Sequence, residues 1–304
     1  MSTTAPVLSD TSTVKPATPA KRPFRFSRWF FATGWRHLVG IAMIVFAVFP
    51  LLYVLSASLN PYGTLAASNA LFSVIDVSNY AALGETRFWT WAGNTLLIGG
   101  IAAVGAVLMG AAAAYAFSRF RFSGRRAGLT GLLIIQMFPQ MLAFVAIFLL
   151  LISLGNVVPV LGLDSKLSLI CVYLGGALGV NTFLMYGFFN TVPREIDEAA
   201  KIDGASHAQI YWTIVLRLTA PILAVVALLS FIFSVNEFAV ASVMLIDTEK
   251  QTLAVGLTKL VSNPRYADWS AFSAGAVMAA LPVVALFLFL QRYIVGGLTA
   301  GSVK

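Results

Sequence analysis

The side chain in this sequence that is most suited to specific chemistry is the carboxyl group of Glu237, which follows Asn236 inside an apolar stretch. A charge at the centre of a bilayer costs roughly 2.5–3.5 kcal/mol on insertion scales, so such a residue must face protein or water, or be neutral. Glu237 and Asn236 are therefore candidates for the polar wall of a solute pathway or for a contact with a second membrane subunit. A buried hydrogen bond that fixes helix packing is the alternative.

Gln136 and Pro139 interrupt another apolar stretch, at 128–154. Proline lacks a backbone N–H donor, so this helix is expected to kink near Pro139. A kinked helix with an amide side chain nearby suits a gate, and we add both residues to the candidate pathway. The alternative is a proline that is simply tolerated in a membrane helix.

The residue pattern indicates neither an enzyme active site nor a metal site. The sequence has no Gly-x-x-x-x-Gly-Lys-Ser/Thr segment, the loop that cradles ATP phosphates, and no paired buried carboxylates or Ser/His/Asp order. Its single cysteine, Cys171, excludes an internal disulfide, and no Cys/His cluster predicts a metal site. We therefore expect a non-catalytic chain with no cofactor or metal of its own, which takes its energy from a partner.

A polar segment at 191–219 carries the most informative spacing. Pro193 suits a first helical turn. Glu195, Asp197 and Glu198 follow near that helix start, where the helix dipole favours acidic side chains. Gly204 can end the helix in a left-handed conformation. The pattern thus predicts one short helix that stops at a glycine.

A second short helix is predicted directly after Gly204, because Ser206 and Gln209 have the spacing of a capping box. Ala199 and Ala200, near the end of the first helix, have almost no side-chain bulk. They leave a small-residue surface into which another protein could pack, with acidic residues beside it. An ordinary amphipathic surface loop is the alternative from the residues alone.

The elements that position these residues are membrane helices. Hydrophobic residues make up 59% of the 304 positions and charged residues only 11%, against about 25% in soluble domains. A helix needs about 20 residues to cross the hydrocarbon core. The fold class predicted is all-α and integral to the membrane, with lipid as its solvent. Six segments reach the spanning length: 38–59, 94–117, 128–154, 167–189, 220–245 and 271–295.

The orientation follows from the loop charges. Fifteen of the twenty Lys and Arg residues fall on one side of the predicted membrane and five on the other. The positive-inside rule then places both termini in the cytoplasm of a multi-pass protein of the cell membrane. Because topology accounts for the net charge of +8, nucleic acid is not expected as a partner.

The loop at 191–219 resembles the EAA loop of ABC-importer permeases. The resemblance rests on Glu198-Ala199-Ala200, Gly204, Ile214 and Leu216; the family usually has proline after that leucine, where this chain has Arg217. Other segments resemble the maltose/maltodextrin-type, MalG-like permeases of the carbohydrate-uptake branch. They are 136–139, 173–176, 252–256 and 296–301.

The resemblance implies an ABC type I importer permease fold and a set of partners. These are a second, MalF-like permease, a homodimeric ABC ATPase that binds ATP and Mg, and an extracytoplasmic sugar-binding protein. In this family the EAA loop forms a coupling helix that docks in a cleft of the ATPase. The resemblance assigns maltose or maltodextrin as substrate, with trehalose or another oligosaccharide as the alternative. The residues it assigns to ATPase coupling are Glu195, Glu198, Ala199, Ala200, Asp203 and Gly204.

The sequence therefore divides into four parts: a mostly disordered, basic cytoplasmic tail (1–36), a first membrane helix with an external loop (37–93), a core permease domain (94–296) and a cytoplasmic C-terminal tail (297–304). A secondary transporter would need an internal repeat or a charged relay. A membrane enzyme or scaffold would need a catalytic cluster at one depth. Neither pattern is found, so both remain weaker alternatives.

Overall fold

The computed structural model describes residues 30–63 and 70–300, except the side chains of residues 32, 140, 141 and 295–300. The described residues contain helices, turns and loops but no β-strand. Most of the predicted tail 1–36 lies outside them; its last residues begin a π-helical turn, Phe30–Gly34. Residues 301–304 of the predicted C-terminal tail also lie outside.

Eleven α-helices of six or more residues, α1 to α11, organise the described part of the chain. Their bounds are Trp35–Ser58 (α1), Ser78–Glu85 (α2), Phe88–Arg119 (α3), Arg125–Gln136 (α4), Gln140–Val157 (α5), Lys166–Phe189 (α6), Arg194–Ile202 (α7), Ala220–Asn236 (α8), Ala239–Met244 (α9), Leu253–Thr258 (α10) and Trp269–Ala300 (α11). Between these helices lie a six-residue π-helix, Ile210–Val215, and three pieces of three residues each: Pro159–Leu161, His207–Gln209 and Leu216–Leu218.

The chain forms two compact units, residues 1–50 and 51–304. The described part of the first unit is the turn Phe30–Gly34 and the beginning of α1. Apolar side chains of this stretch, such as Ile44 and Phe46, are exposed. A helix that shows apolar groups to its surroundings fits lipid rather than water as solvent.

Among the described residues, four helices are long and apolar enough to cross a membrane: α1, α3, α6 and α11. The segment His207–Leu218 and α8 together would make a fifth, bent by 79°. These helices lie where the first, second, fourth, fifth and sixth spans are predicted. The all-helical membrane fold is thus confirmed.

The predicted third span is broken rather than merely kinked. Helix α4 ends at Gln136, and α5 begins at Gln140, with Pro139 in the extended conformation between them. Proline cannot donate the backbone hydrogen bond that a continuous helix requires. The apolar part of α5, Leu142–Val157, is shorter than a spanning helix.

The predicted fifth span, 220–245, is wrong in its continuity. Helix α8 ends at Asn236, Glu237 is extended, and a new helix, α9, starts at Ala239. Glu237 therefore does not lie in the middle of a membrane helix. It occupies the break between two helices.

Helix α3 lies at the centre of the second unit, where small residues bring it close to α6. A Cβ atom placed on Gly110 would lie 3.3 Å from the Cβ of Asn181 on α6. Ala114 of α3 is fully buried with Met185 and Phe189 of α6. Glycine and alanine allow such close approach of two helices.

Candidate functional site

The glycine turn after α7 has the predicted geometry. Gly204 has φ +86°, in the left-handed region. The N–H of Gly204 donates to the carbonyl of Lys201 at 3.0 Å, and the N–H of Ala205 donates to that of Ala200 at 2.9 Å. These two bonds form a Schellman motif, which satisfies carbonyls at the helix end.

The capping box after this turn is also confirmed. The backbone N–H of Gln209 donates to the Ser206 hydroxyl at 3.3 Å, and the Ser206 N–H donates to the Gln209 side chain at 2.8 Å. The chain then continues to Leu218 and bends by 79° into α8. The bend is present although Arg217 stands where the family usually has proline.

The residues of α7 divide between an outer and an inner face. Glu195, Glu198, Ala199, Asp203 and Gly204 are exposed. One apolar side chain, Ile202, is 87% exposed, and sequence reasoning missed it. A large apolar group so exposed at a corner of polar residues is the kind of anchor found in protein interfaces.

Ala200 does not share this outer face, which corrects the prediction of a surface formed by both alanines. It is buried in a cluster that includes Phe189 and Ile210. Because α7 lies against the protein, every third or fourth residue of it turns inward. The small-residue surface thus consists of Ala199 without Ala200.

A buried ion pair fastens the inner face of α7 to the end of α3. Arg119 Nε lies 2.6 Å from Asp197 Oδ2, and the two side chains are only 5% and 9% exposed. Arg119 also donates through Nη2 to the carbonyl of Val192 at 3.1 Å. The sequence predicted Arg119 only as a cytoplasmic loop charge and Asp197 only as an acid at a helix start, and their pairing was missed. An arginine at the end of an apolar helix and an acid beside Glu198 were the available signals.

Glu237 acts as a hydrogen-bond acceptor at the break between α8 and α9. Its Oε1 accepts the N–H of Val240 at 2.8 Å, and its Oε2 accepts the N–H of Ala241 at 3.0 Å and the hydroxyl of Tyr173 at 2.8 Å. The carboxylate therefore connects α9 to Tyr173 on α6. The side chain of Asn236 instead donates to the carbonyl of Ile232 in its own helix.

A cavity of about 210 Å³ lies between α3, α4, α6 and α8. Gln136 lines it and donates to the Gly176 carbonyl at 2.8 Å. Tyr173 lines the cavity too, and its hydroxyl donates to Glu237, which is not itself among the lining residues. Pro139 does not line the cavity. Its remaining polar lining residues are Asn181, Ser230 and Ser234.

At the end of α3 opposite Arg119, polar groups hold the segment 245–252. Trp91 Nε1 donates to the carbonyl of Thr248 at 2.8 Å. Asn94 donates to the carbonyls of Glu249 and Gln251, at 2.8 and 2.9 Å. Both Trp91 and Asn94 belong to the first turns of α3, so this helix end and the segment are bound together.

Asp164 holds the same segment from the α5–α6 connection. Its Oδ1 accepts the N–H groups of Ile246 and Asp247, and its Oδ2 accepts Lys250 Nζ at 2.8 Å. Burial pushes the pKa of Asp164 upward, but these hydrogen bonds and the Lys250 charge outweigh it, so this pKa lies below its ordinary value. The hydrogen bond with Asp164 in turn raises the pKa of Lys250.

No group of three or more His, Cys, Asp or Glu side chains that could hold a metal occurs in the part of the chain that the structure describes. The polar groups at the site are carboxylates, amides and hydroxyls that bind backbone or one another. Such groups can bind and orient a polar solute, and they can join moving elements. Together with the membrane helices, they are typical of a membrane transport subunit.

Comparison with known proteins gives the particular family. Residues 106–299 match the binding-protein-dependent transport system inner membrane component family. The maltodextrin transport system permease protein MdxG of Bacillus subtilis is 44% identical over 220 residues, 72% of this chain and 77% of the relative. The maltose/maltodextrin transport system permease protein MalG of Escherichia coli K12 is 39% identical over 284 residues, 88% of this chain and 94% of the relative.

Solved structures agree. A bacterial ABC transporter involved in the import of the acidic polysaccharide alginate has a chain with TM-score 0.74 and 26% identity, covering 90% of this chain and 99% of that one. A second chain, from a bacterial alginate ABC transporter in complex with an alginate pentasaccharide-bound periplasmic protein, has TM-score 0.65 and 16% identity, covering 88% and 94%; it shows the fold alone. The chain belongs to the family of binding-protein-dependent transport system inner membrane components, as a MalG-like ABC permease.

Proposed function

We propose that this chain is one of two permease subunits of an ATP-driven importer for maltose or maltodextrins. The observation that carries the proposal is the exposed corner formed by α7 and Gly204. That corner presents carboxylates and the side chain of Ile202 beside a backbone turn of fixed shape. The named substrates of the relatives support the sugar. Trehalose or another oligosaccharide is the alternative substrate.

The outer face of α7 is the docking site for a homodimeric ABC ATPase, which binds ATP and Mg. Ile202 fills an apolar pocket on that partner, and Ala199 allows close approach. Glu195, Glu198 and Asp203 meet basic groups or helix ends around it. Ala200 contributes indirectly, because its burial fixes α7 against the core.

The topology we propose has six spans with both termini in the cytoplasm. Helices α4 and α5 together form the third span, on either side of the break at Pro139. The distribution of arginine and lysine supports this orientation. It places α7 on the cytoplasmic side, within reach of an ATPase, and the segment 245–252 outside. Residues 37–93 then form the first span and an external loop, and 94–296 the core permease domain.

A second, MalF-like permease completes the pathway, and an extracytoplasmic binding protein delivers the sugar. The cavity beside Gln136 and Tyr173 belongs to the pathway wall of this subunit, because its amide and hydroxyl groups suit sugar hydroxyls. The helix breaks at Pro139 and at Asn236–Glu237 allow the wall to change shape between inward-facing and outward-facing states.

The deciding experiment is ATP hydrolysis by the reconstituted complex, with and without the binding protein, in the presence of maltose, maltodextrins or trehalose. Stimulation by maltose or maltodextrins supports the proposal, and stimulation by trehalose alone selects the alternative substrate. A complex that assembles but responds to none of the three rules out this group of sugars. A chain that purifies with no ATPase overturns the ABC role itself.

A further inference from the structure

We infer that Arg119 and Asp197 form the joint through which movement of α7 reaches α3. This inference rests on the proposed coupling role of α7. It names α3, the second predicted span, as the helix that receives the movement. Arg119 and Asp197 are positioning residues, since they act through the two helices that carry them and not on sugar or nucleotide.

The geometry of Arg119 explains why it can act as a joint. It is the last residue of α3, and its guanidinium group contacts the α7 region at two points. Nε lies 2.6 Å from Asp197 Oδ2, in the first turn of α7, although without hydrogen-bond geometry, while Nη2 binds the carbonyl of Val192 before that helix begins. Two contacts on either side of Pro193 resist both sliding and rotation of α7 relative to α3.

The connection is reciprocal, because α7 also reaches back to α3. Arg194 Nη2 donates to the carbonyl of Ser118 at 2.8 Å, and the Ser118 hydroxyl donates to Asn190 Oδ1 at 2.9 Å. The Ser118 carbonyl belongs to the last turn of α3, where carbonyls lack partners within the helix. Each side thus binds a backbone carbonyl of the other.

Burial makes the joint stiff. Arg119 and Asp197 are almost fully enclosed, so neither charge can exchange its partner for water without moving the helix that carries it. By contrast, Arg121 lies two residues further on and is exposed, and it forms no ion pair among the described residues. Arg121 is therefore a matched control of the same charge close to the same helix end.

Helix α3 is suited to carry the movement onward. It runs unbroken for 32 residues from Phe88 to Arg119. Its middle lines the cavity through Ala102. Its other end holds the segment 245–252 through Trp91 and Asn94. A displacement applied at Arg119 therefore reaches the cavity and the opposite loop through one continuous element.

The test compares Arg119→Gln, Asp197→Asn and Arg121→Gln in the complex of both permeases, ATPase and binding protein, reconstituted in vesicles. The readout is the number of sugars transported per ATP hydrolysed, measured only on complexes that contain the wild-type amount of ATPase. We expect the ratio to fall about tenfold for the first two variants, a change within the range of measured interaction energies between contacting residues. For Arg121→Gln the ratio should stay at the wild-type value. Arg119→Lys should be intermediate, because lysine keeps the charge but cannot make both contacts.

A single variant could fail to assemble because it leaves one buried charge unpaired. The double variant Arg119→Gln/Asp197→Asn avoids this, since its two amides can pair without charge. An assembled double variant with a low ratio supports the joint, and one with the wild-type ratio overturns it. The proposed function is tested by a different outcome. A wild-type chain that binds no ATPase would reject the proposed function. A wild-type complex that couples transport to ATP hydrolysis, with variants that have the same ratio of sugar to ATP, would reject only the joint.

Discussion

Tyr173 donates a hydrogen bond of 2.8 Å to Glu237, and this contact joins α6 to the break between α8 and α9. Glu237 accepts two backbone N–H groups of α9 as well, so three donors converge on one carboxylate. We expect Glu237→Leu to lower the free energy of unfolding by about 1.5–3 kcal/mol, the worth of hydrogen bonds to a charged group. Sugar uptake should fall with it.

Glu237→Gln should be milder than Glu237→Leu, because glutamine keeps one acceptor oxygen. Tyr173→Phe should be milder still, since it removes a single donor. Thermal unfolding and uptake by the reconstituted complex check this order, with Asn236→Ala as the control beside it. Equal loss of uptake in Gln and Leu variants of normal stability would instead point to a required charge in the pathway.

Substitution of Gly204 by valine should uncouple transport from ATP hydrolysis without removing the protein from the membrane. The left-handed φ of +86° costs a β-branched residue on the order of 1–2 kcal/mol, although a Cβ there would touch nothing within 4 Å. Gly204→Asn should behave nearly as wild type, because asparagine tolerates this conformation. Uptake and ATPase activity are measured together.

Gly124 provides the matched control for this strain, with φ +85° and similarly open space. It is the residue directly before α4 and lies outside the segment 191–219. Gly124→Val should therefore leave the ratio of sugar to ATP unchanged. If both valine variants lost coupling to the same degree, general backbone strain would explain the effect and the special role of Gly204 would be wrong.

Ile202→Glu should weaken binding of the ATPase by at least about tenfold, since an anchor at an interface centre is worth about 2 kcal/mol or more and about 1.4 kcal/mol corresponds to a factor of ten. The amount of ATPase that copurifies with the permease measures this. Ile246→Glu is the control, because Ile246 is also strongly exposed, at 67%, but lies in the segment held by Asp164. A normal yield of ATPase with Ile202→Glu would show that α7 docks without this anchor.

The contact of Asp164 with Lys250 makes a prediction about pH. The pKa of Asp164 is lowered and that of Lys250 is raised, so both charges stabilise the fold between about pH 3.9 and pH 10.4, the ordinary pKa values. This stabilisation is lost as the pH falls through the lowered pKa of Asp164 or rises through the raised pKa of Lys250. Asp164→Asn should lower the unfolding temperature at pH 7, and this difference from the wild type should shrink as the pH falls through the lowered pKa of Asp164.

Lys250→Gln tests whether the two charges act together. In the Asp164→Asn background it should change the unfolding temperature less than it does in the wild type, because the partner is already gone. Additive effects at pH 7 would show that the pair contributes nothing beyond its separate residues.

Gly256 belongs to the segment 252–256 of the family resemblance, and its contacts give a physical reason for a glycine there. A Cβ atom there would lie 2.2 Å from the buried indole ring of Trp91. Gly256→Ala should therefore destabilise the protein by about 1–3 kcal/mol, as overpacking does. Gly175→Ala, where a Cβ would meet nothing within 4 Å, should be neutral or stabilising. Thermal unfolding of the two variants in detergent provides the comparison.

The helices and turns that depend on neighbours in sequence were the predictable part of this structure. The capping box of Ser206 and Gln209 and the left-handed Gly204 form from residues within one or two turns of each other. The apolar stretches also predicted where α1, α3, α6 and α11 lie, because a helix that crosses a bilayer needs only sufficient length and hydrophobicity, and both can be read from the sequence. The break at Glu237 was missed because hydropathy does not register a carboxylate that accepts backbone N–H groups.

The sequence by itself determined that this is a multi-span helical membrane protein with an EAA-like loop between two of its spans. Only the tertiary structure decided which distant polar groups meet. Tyr173 and Glu237 are 64 positions apart, and Arg119 meets Asp197 through the packing of α3 beside α6 and α7. It also decided that Ala200 faces inward and Ile202 outward. Local patterns fix the dihedral angles of a helix, but only the packing of one helix on another fixes which of its faces is buried.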